Sequence, residues 1–366
     1  MKIGILTLPP TINYGGILQA YALQCILDRM GHEAEIICDR QRHFMLPTWK
    51  KPFVYFKRLS LKHLLGKKNL IIRKEVFKRN KACQHTEVFI RKHLHIHQYN
   101  SFCEIKESDF DAIVVGSDQI WRTLYNYDIE RRFLDFAETW DIQRVAYAAS
   151  FGTDAWEYNE RQTENCKRLI RLFNAVSVRE ESGVELVKKY LGATAVHVLD
   201  PTMLLNKNDY ISFFEEARTG QSPGDMLCYI LDESPTVKER IAFYQDQQQL
   251  TPFHVYSHYD RDNCPPVEWI QPPVEEWLRG FYDAKLVVTD SFHATVFSII
   301  FGKPFVVLGN AKRGNARFAS LLNMTGFDIS EGLFNRIYYP SEKTEIVLNT
   351  IRDYSMQFLK ESLTIK

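Results

Sequence analysis

No apolar run in this chain of 366 residues approaches the roughly 20 residues that a helix needs to cross a bilayer, so a helical membrane span is not expected. The seven cysteines, Cys25, Cys38, Cys83, Cys103, Cys166, Cys228 and Cys264, include no C-x-x-C pair. An odd number of scattered cysteines argues against a disulfide framework and fits reduced thiols in a cytoplasmic protein. His, Asp and Glu form no clustered ligand spacing, and no metal is expected. No internal repeat or low-complexity tract is present. Zinc-finger, RNA-binding and helix-turn-helix signatures are also missing, so nucleic acid is not an expected partner. With 46 basic and 45 acidic residues the net charge is +1, which gives no global attraction to either nucleic acid or membrane. A secretory signal is rejected as well. Lys2 does precede the apolar run Ile3 to Leu8, and Ala20-Tyr21-Ala22 imitates a cleavage site, but the run is short and Pro9-Pro10 break it.

What is present suits two globular cores: 45% hydrophobic residues, 13% aromatic and 25% charged, over a length that reads as two domains. The first half alternates continuous apolar runs with helical stripes, the pattern of buried strands in a parallel sheet. Strands are expected at Lys2 to Leu8, Ala34 to Cys38, Asp111 to Val115, Arg144 to Ala149, Ala175 to Val178 and Ala195 to Leu199. A helix spans Gly16 to Met30, with Gly31 closing it. Ser182 and Glu185 fit a capping box that opens a helix running to Leu191 and ending at Gly192. After Asp200-Pro201 the alternation restarts, with strands at Met226 to Leu231, Phe253 to Ser257, Lys285 to Thr289 and Pro304 to Leu308. A last helix, within 341–366, carries Ile346, Val347, Thr350, Ile351, Tyr354 and Phe358 on one face. The fold class is therefore α/β, with two doubly wound Rossmann-like domains at 1–198 and 199–340. Ligands of such sheets bind beyond the carboxyl ends of the strands.

Charge is unevenly placed. From Arg40 to Lys92 there are 16 Lys or Arg against only Glu75 and Glu87, a local +14, and the rest of the chain carries 30 basic and 43 acidic residues. Phe44, Trp49, Phe53 and Phe56 are interleaved with these cations. Two readings stay open: a helical insertion at about 40–100 with a solvated basic face and buried aromatics, or a docking surface for anionic lipid headgroups or a diphosphate-linked substrate.

The residues of chemical interest follow strands. Asn13-Tyr14-Gly15-Gly16 opens the first helix, where backbone N–H groups can face an anion, although tight packing also explains such a turn. Gly116-Ser117-Asp118-Gln119-Ile120-Trp121-Arg122 puts a carboxylate, an amide, an indole and a guanidinium behind a strand. This set suits a sugar, or else Ser117 or Asp118 caps a helix while Trp121 packs in the core. Arg179 can point into a cleft or pair with Glu180 or Glu181. Thr289-Asp290-Ser291-Phe292-His293 brings a histidine to the first turn of an apolar helix at a strand end, a position that favours chemistry. Lys312, Arg313 and Arg317 lie in or just after the Gly/Asn-containing loop 309–315, placed to reach a phosphate or simply solvated.

At these residues the chain resembles the polysaccharide pyruvyl transferase family. The matching stretches are NYGGILQAYAL (13–23), VGSDQIWR (115–122), YAASFG (147–152), SVREES (177–182), LDPTML (199–204) and TDSFHATVFSIIFGKPF (289–305). The resemblance implies a GT-B-like pair of domains, to which the residue pattern adds a helical insertion in the first and a C-terminal helix. It also implies transfer of a pyruvyl group from phosphoenolpyruvate to a sugar as a cyclic ketal, with release of phosphate and no cofactor. In that family the donor is held by an arginine matching Arg179 and a histidine matching His293. Some members read Arg-Leu-His where this chain has Ser291-Phe292-His293, so it resembles a distinct DSFH-type branch in which one guanidinium is missing, and Lys303, Arg313 or Arg317 is a candidate to replace it.

The chemistry needs a proton donor and an anion cradle. His293 is expected as the general acid/base and Asp118 as the base toward the acceptor. Arg179, Ser291, Arg313 and Arg317 are assigned to the donor, and Asn13, Tyr14, Gly15, Gln119 and Trp121 to the acceptor. The acceptor implied is a sugar, typically on a lipid-linked oligosaccharide at the inner membrane face, reached by a cytoplasmic protein. The competing expectations are a nucleotide-sugar glycosyltransferase of the same architecture and a non-catalytic subunit of a polysaccharide assembly complex.

Overall fold

A computed structural model describes residues 1–39, 56, 74–126, 128–258, 264–309 and 315–364. Two sheets organise it. The first has seven parallel strands in the order β3-β2-β1-β4-β5-β6-β7: β1 Lys2–Leu6, β2 Glu33–Asp39, β3 Ile96–Tyr99, β4 Ala112–Val115, β5 Gln143–Ala149, β6 Ala175–Val178 and β7 Val196–His197. The second has the order β12-β11-β10-β8-β9, from β8 Met226–Tyr229, β9 Pro252–Phe253, β10 Leu286–Thr289, β11 Phe305–Val307 and β12 Ile337–Tyr338. In it only β12 runs antiparallel, against β11. These are two Rossmann-like halves in the expected GT-B-like arrangement. The buried strands are nearly uninterrupted apolar runs because helices cover both faces.

Three local expectations are corrected. The region at 40–100 is not purely helical: after helices Lys74–Ala82 and Thr86–His93 the chain re-enters the first sheet as β3, pairing Ile96 with Ile36. The helix expected from Ser182 begins at Glu181 with Glu180 at its N-cap, and Glu180 makes no side-chain cap because its carboxylate accepts from the Ser150 hydroxyl. Its end at Gly192 stands, with φ of 63°, a left-handed geometry that favours glycine.

The third correction concerns the last helix, Glu342–Ser362, which buries Thr344, Leu348, Ser355, Leu359 and Ser362 while Ile346 and Tyr354 face outward. This helix returns to the first half, where Ser355 accepts a hydrogen bond from the Leu199 N–H at 3.1 Å and Phe358 lies against Tyr147. One apolar core also runs across both halves. Tyr14 of helix Tyr14–Arg29 stacks on Trp277 of helix Val274–Asp283 at 5.1 Å and donates its hydroxyl to the Pro272 carbonyl at 2.7 Å. Among the described residues no helix is long and apolar enough to cross a membrane.

Candidate functional site

In each sheet the winding reverses once, between β1 and β4 in the first and between β8 and β10 in the second. At such a point the loops diverge and leave a crevice at the carboxyl ends of the strands. The two crevices face each other. A cleft of about 220 Å³ is walled on one side by the β1 loop (Leu8, Asn13, Gly16) with Asp118 and Gln119 after β4, and on the other by Leu231 after β8 with Ser291 and His293 after β10. Arg317, from helix Ala316–Met324, and Tyr125 complete it. Two larger clefts, of about 590 and 410 Å³, lie away from both reversal points and contain none of these side chains.

Behind the cleft sits a buried ionic network. Asp200, just after β7, is fully buried, and its Oδ1 accepts from the Thr202 N–H at 3.0 Å and the Thr202 hydroxyl at 2.7 Å. Its Oδ2 accepts from Arg179 Nη1 at 2.7 Å and the Ser117 hydroxyl at 3.3 Å, and faces Nε2 of His293 at 3.6 Å. Burial alone would raise the Asp200 pKa, but His293, Arg179 and Thr202 outweigh it and hold the carboxyl well below the usual range. Arg179 further reaches Asp118 at 3.4 Å and Glu180 at 3.5 Å, with a side chain only 1% exposed. Its proton is held more tightly than usual, because these carboxylates overcome the cost of burial. The imidazole of His293 packs directly on Gly15, where an added Cβ would lie 2.1 Å from Nδ1.

A second guanidinium stands close by. Arg179 lies over the Phe292 ring at 4.4 Å and Arg317 over the same ring at 5.5 Å, two cations gathered on one aromatic side chain. Burial and the charge of Arg179 push the Arg317 pKa down to about 10.

The expected residues therefore separate. His293, Asp118, Ser291, Gln119, Asn13 and Arg317 meet at the cleft. Ser291 is the N-cap of helix Phe292–Ile300 and accepts from the Ala294 N–H. Arg179 is corrected: it does not offer an open fork to a ligand but is committed to three carboxylates behind the wall. Trp121 is corrected as well, being fully buried against Phe133 at 4.7 Å with its indole N–H donated to the Arg132 carbonyl. Tyr14 is a staple between the halves and Gly15 a seat for His293, so neither contacts an acceptor. The N–H groups of Gly15 and Gly16 are taken by Asn13 Oδ1, which removes the expected anion cradle. No helix follows Asp118 for Ser117 to cap. Asp118 itself has φ of 58°, a left-handed backbone that is uncommon for aspartate and tends to occur at functional sites. Arg313 and Lys312 lie outside the described residues, and Lys303 donates to the Tyr282 carbonyl, away from the cleft. Of the candidates among the described residues, Lys303 and Arg317, it is Arg317 that lies at the cleft.

Two contributors were not singled out from the sequence, Asp200 and Tyr125, whereas Glu180 was expected as an alternative partner of Arg179 and lies 3.5 Å from it. Glu180 accepts from the Ser150 hydroxyl and flanks Arg179. The Asp-Pro at 200–201 reads as a turn, although its place just after a strand was a usable signal. Among the described residues no group of side chains could hold a metal ion.

The sequence matches a family model described as polysaccharide pyruvyl transferase over residues 13–312. No curated protein matches it. Among solved structures, it is similar to Anabaena HepE in complex with UDP (12% identity, 99% of this chain and 94% of that one, TM-score 0.48). It is also similar to the UDP-GlcNAc 2-epimerase of Neisseria meningitidis bound to UDP-GlcNAc (11%, 100% and 95%, TM-score 0.45) and to MurG of Acinetobacter baumannii (11%, 99% and 93%, TM-score 0.38).

Proposed function

The chain belongs to the polysaccharide pyruvyl transferase family, and from that premise we propose that it transfers a pyruvyl group from phosphoenolpyruvate to two hydroxyls of a sugar, releasing phosphate. The observation that carries this reading is the Arg317 guanidinium over the Phe292 ring beside His293, at a cleft formed by both reversal points. In the reaction a sugar hydroxyl adds to C2 of the enol phosphate while the methylene carbon gains a proton. The C–O bond to phosphate then breaks as a second hydroxyl closes the ketal, and the second hydroxyl's proton leaves through a base. Arg317, the Ser291 hydroxyl and the N-terminus of helix Phe292–Ile300 receive the donor's anionic groups. His293 supplies the proton to the methylene carbon. The ring is held with Nε2 3.6 Å from Asp200 Oδ2 and with its Nδ1 edge against Gly15. Asp118 takes the acceptor's proton, and Arg179 acts indirectly by fixing Asp118 and Asp200.

The test is release of inorganic phosphate from phosphoenolpyruvate with sugar acceptors. His293→Ala should abolish it while the circular dichroism and melting temperature stay near wild type, and Arg317→Leu should weaken phosphoenolpyruvate in a direct titration. Release of UDP or GDP from nucleotide sugars, with none of phosphate, would overturn the donor assignment in favour of glycosyl transfer. Donor and acceptor that both fail to bind would leave a non-catalytic subunit as the reading.

A further inference from the structure

A pyranose ring offers two kinds of surface: hydroxyl edges that need hydrogen bonds, and a flat C–H face that gains by covering an aromatic ring. Trp121 cannot provide that cover, since it is fully buried. Four residues later the chain does. Tyr125 lines the cleft and is 37% exposed, and its sequence neighbour Leu124 is 63% exposed. Both are large side chains in water-accessible positions of a loop that is otherwise well anchored. Asn126 donates to the Ile120 carbonyl at 2.9 Å and accepts from Arg132 at 2.8 Å. The Arg122 guanidinium stands 5.9 Å from the Tyr125 ring, and is held by Gln119 Oε1 at 2.9 Å and Glu157 at 3.7 Å. Thr123 donates to the same Glu157 at 2.9 Å. The ring is thus exposed but presented on a braced loop, with polar side chains along its border. Tyr125 and Arg317 line the same cleft, so the platform and the guanidinium adjoin.

We propose that Tyr125, extended by Leu124 and bordered by Arg122, Gln119 and Glu157, is the acceptor subsite and takes the C–H face of a pyranose ring by stacking. This rests on the transferase reading and supplies its acceptor platform in place of Trp121. The platform lies beside the donor groups, so a stacked ring has its edge hydroxyls turned to the space before His293 and Arg317. A sugar with an unbroken apolar face is favoured over one whose axial hydroxyls interrupt both faces.

The experiment is a saturation-transfer titration of the full chain with the methyl pyranosides of glucose, galactose and mannose, run beside a phosphoenolpyruvate titration. Wild type and Tyr125→Phe should bind at least one glycoside with saturation concentrated on its face protons. Tyr125→Ala should lose about tenfold in affinity, the scale of one aromatic contact, with phosphoenolpyruvate binding unchanged. Leu124→Ala, at a site too exposed to affect folding, should lose less. In turnover, Tyr125→Ala should raise the acceptor KM and spare the donor KM. Equal glycoside binding by Tyr125→Ala and wild type, or no binding of any of the three by wild type, overturns the platform. Tyr125-dependent sugar binding without any phosphate release upholds the platform and overturns the donor reading.

Discussion

At Gly15 an added Cβ would lie 2.1 Å from Nδ1 and 2.7 Å from Cβ of His293, and His293 cannot move away because its helix opens at the end of a buried strand. We expect Gly15→Ala to cost about 1–3 kcal/mol, the scale of overpacking, and to lose turnover by displacing the imidazole. A urea titration and a phosphate-release assay check the two effects, and full activity in a stable variant would remove His293 from the chemistry. Asp200 offers a test by acid. Its folded pKa is lowered, so its contribution to stability is present above the unfolded carboxyl value of about 4 and is lost as pH falls below it. Asp200→Asn should be less stable than wild type at pH 7 by urea midpoint, and the gap should narrow toward pH 3. A constant gap would mean that the carboxylate charge is not what holds the network. His293, Asp118, Ser291 and Arg317 were legible because strand ends and a helix start locate chemistry in an α/β fold. For Arg179 and Trp121 the sequence left two readings open, and the structure takes the pairing with Glu180 and the packing in the core over the donor and acceptor contacts assigned to them, because sequence identifies a fork or an indole but not which neighbours occupy it. Exposure separates Trp121 from Tyr125, and exposure depends on tertiary packing that no local pattern encodes.

Helices and strands show a similar division. Long apolar strands were found nearly to the residue, as at β6 and β10, since burial on both faces leaves little ambiguity. Strand β3, with sequence Ile-His-Gln-Tyr, was missed because it lies at the sheet edge with three exposed residues, and β12 is only two residues long. In the last helix two adjacent rows carry apolar residues, and the row that packs includes Ser355 and Ser362. Ser355 is favoured there because its hydroxyl satisfies the Leu199 N–H, a requirement that hydrophobicity does not register. The corrected face makes a direct prediction. Leu359→Ala, at a fully buried site, should cost about 2–5 kcal/mol, whereas Ile346→Ala, at a residue 60% exposed, should stay within about 0.5 kcal/mol of wild type. Chemical denaturation of the two variants decides which row packs, and a larger loss at Ile346 would restore the face expected from sequence.

For the molecule as a whole, the separation of charge is the property most open to test. The stretch from Arg40 to Lys92 carries 16 basic residues against two acidic ones, while the remainder is acidic in balance. Part of that charge is already partnered: Arg91 pairs with Glu87 at 3.0 Å, Lys92 with Glu216 at 3.6 Å, and Lys78 lies over the Trp269 ring at 5.2 Å. Lys50, Lys51, Lys57 and Arg58, together with Trp49 and Phe53, lie outside the described residues, while Phe56 between them is 72% exposed. An anionic surface attracts each suitably placed Lys or Arg by about 1 kcal/mol, so a few cations with one or two exposed aromatics suffice for reversible attachment. An acceptor carried on a lipid diphosphate would make such attachment useful, since it brings the cleft to a substrate that does not diffuse in three dimensions. We therefore expect co-sedimentation with vesicles containing phosphatidylserine or phosphatidylglycerol, weakening steeply with salt, and little with phosphatidylcholine alone. Reversing charge at Lys50, Lys51, Lys57 and Arg58 should abolish it while leaving turnover of a short water-soluble acceptor unchanged. If the protein ignores anionic vesicles even at low salt, the cations serve solubility and the aromatics serve packing, and the acceptor must reach the cleft by diffusion.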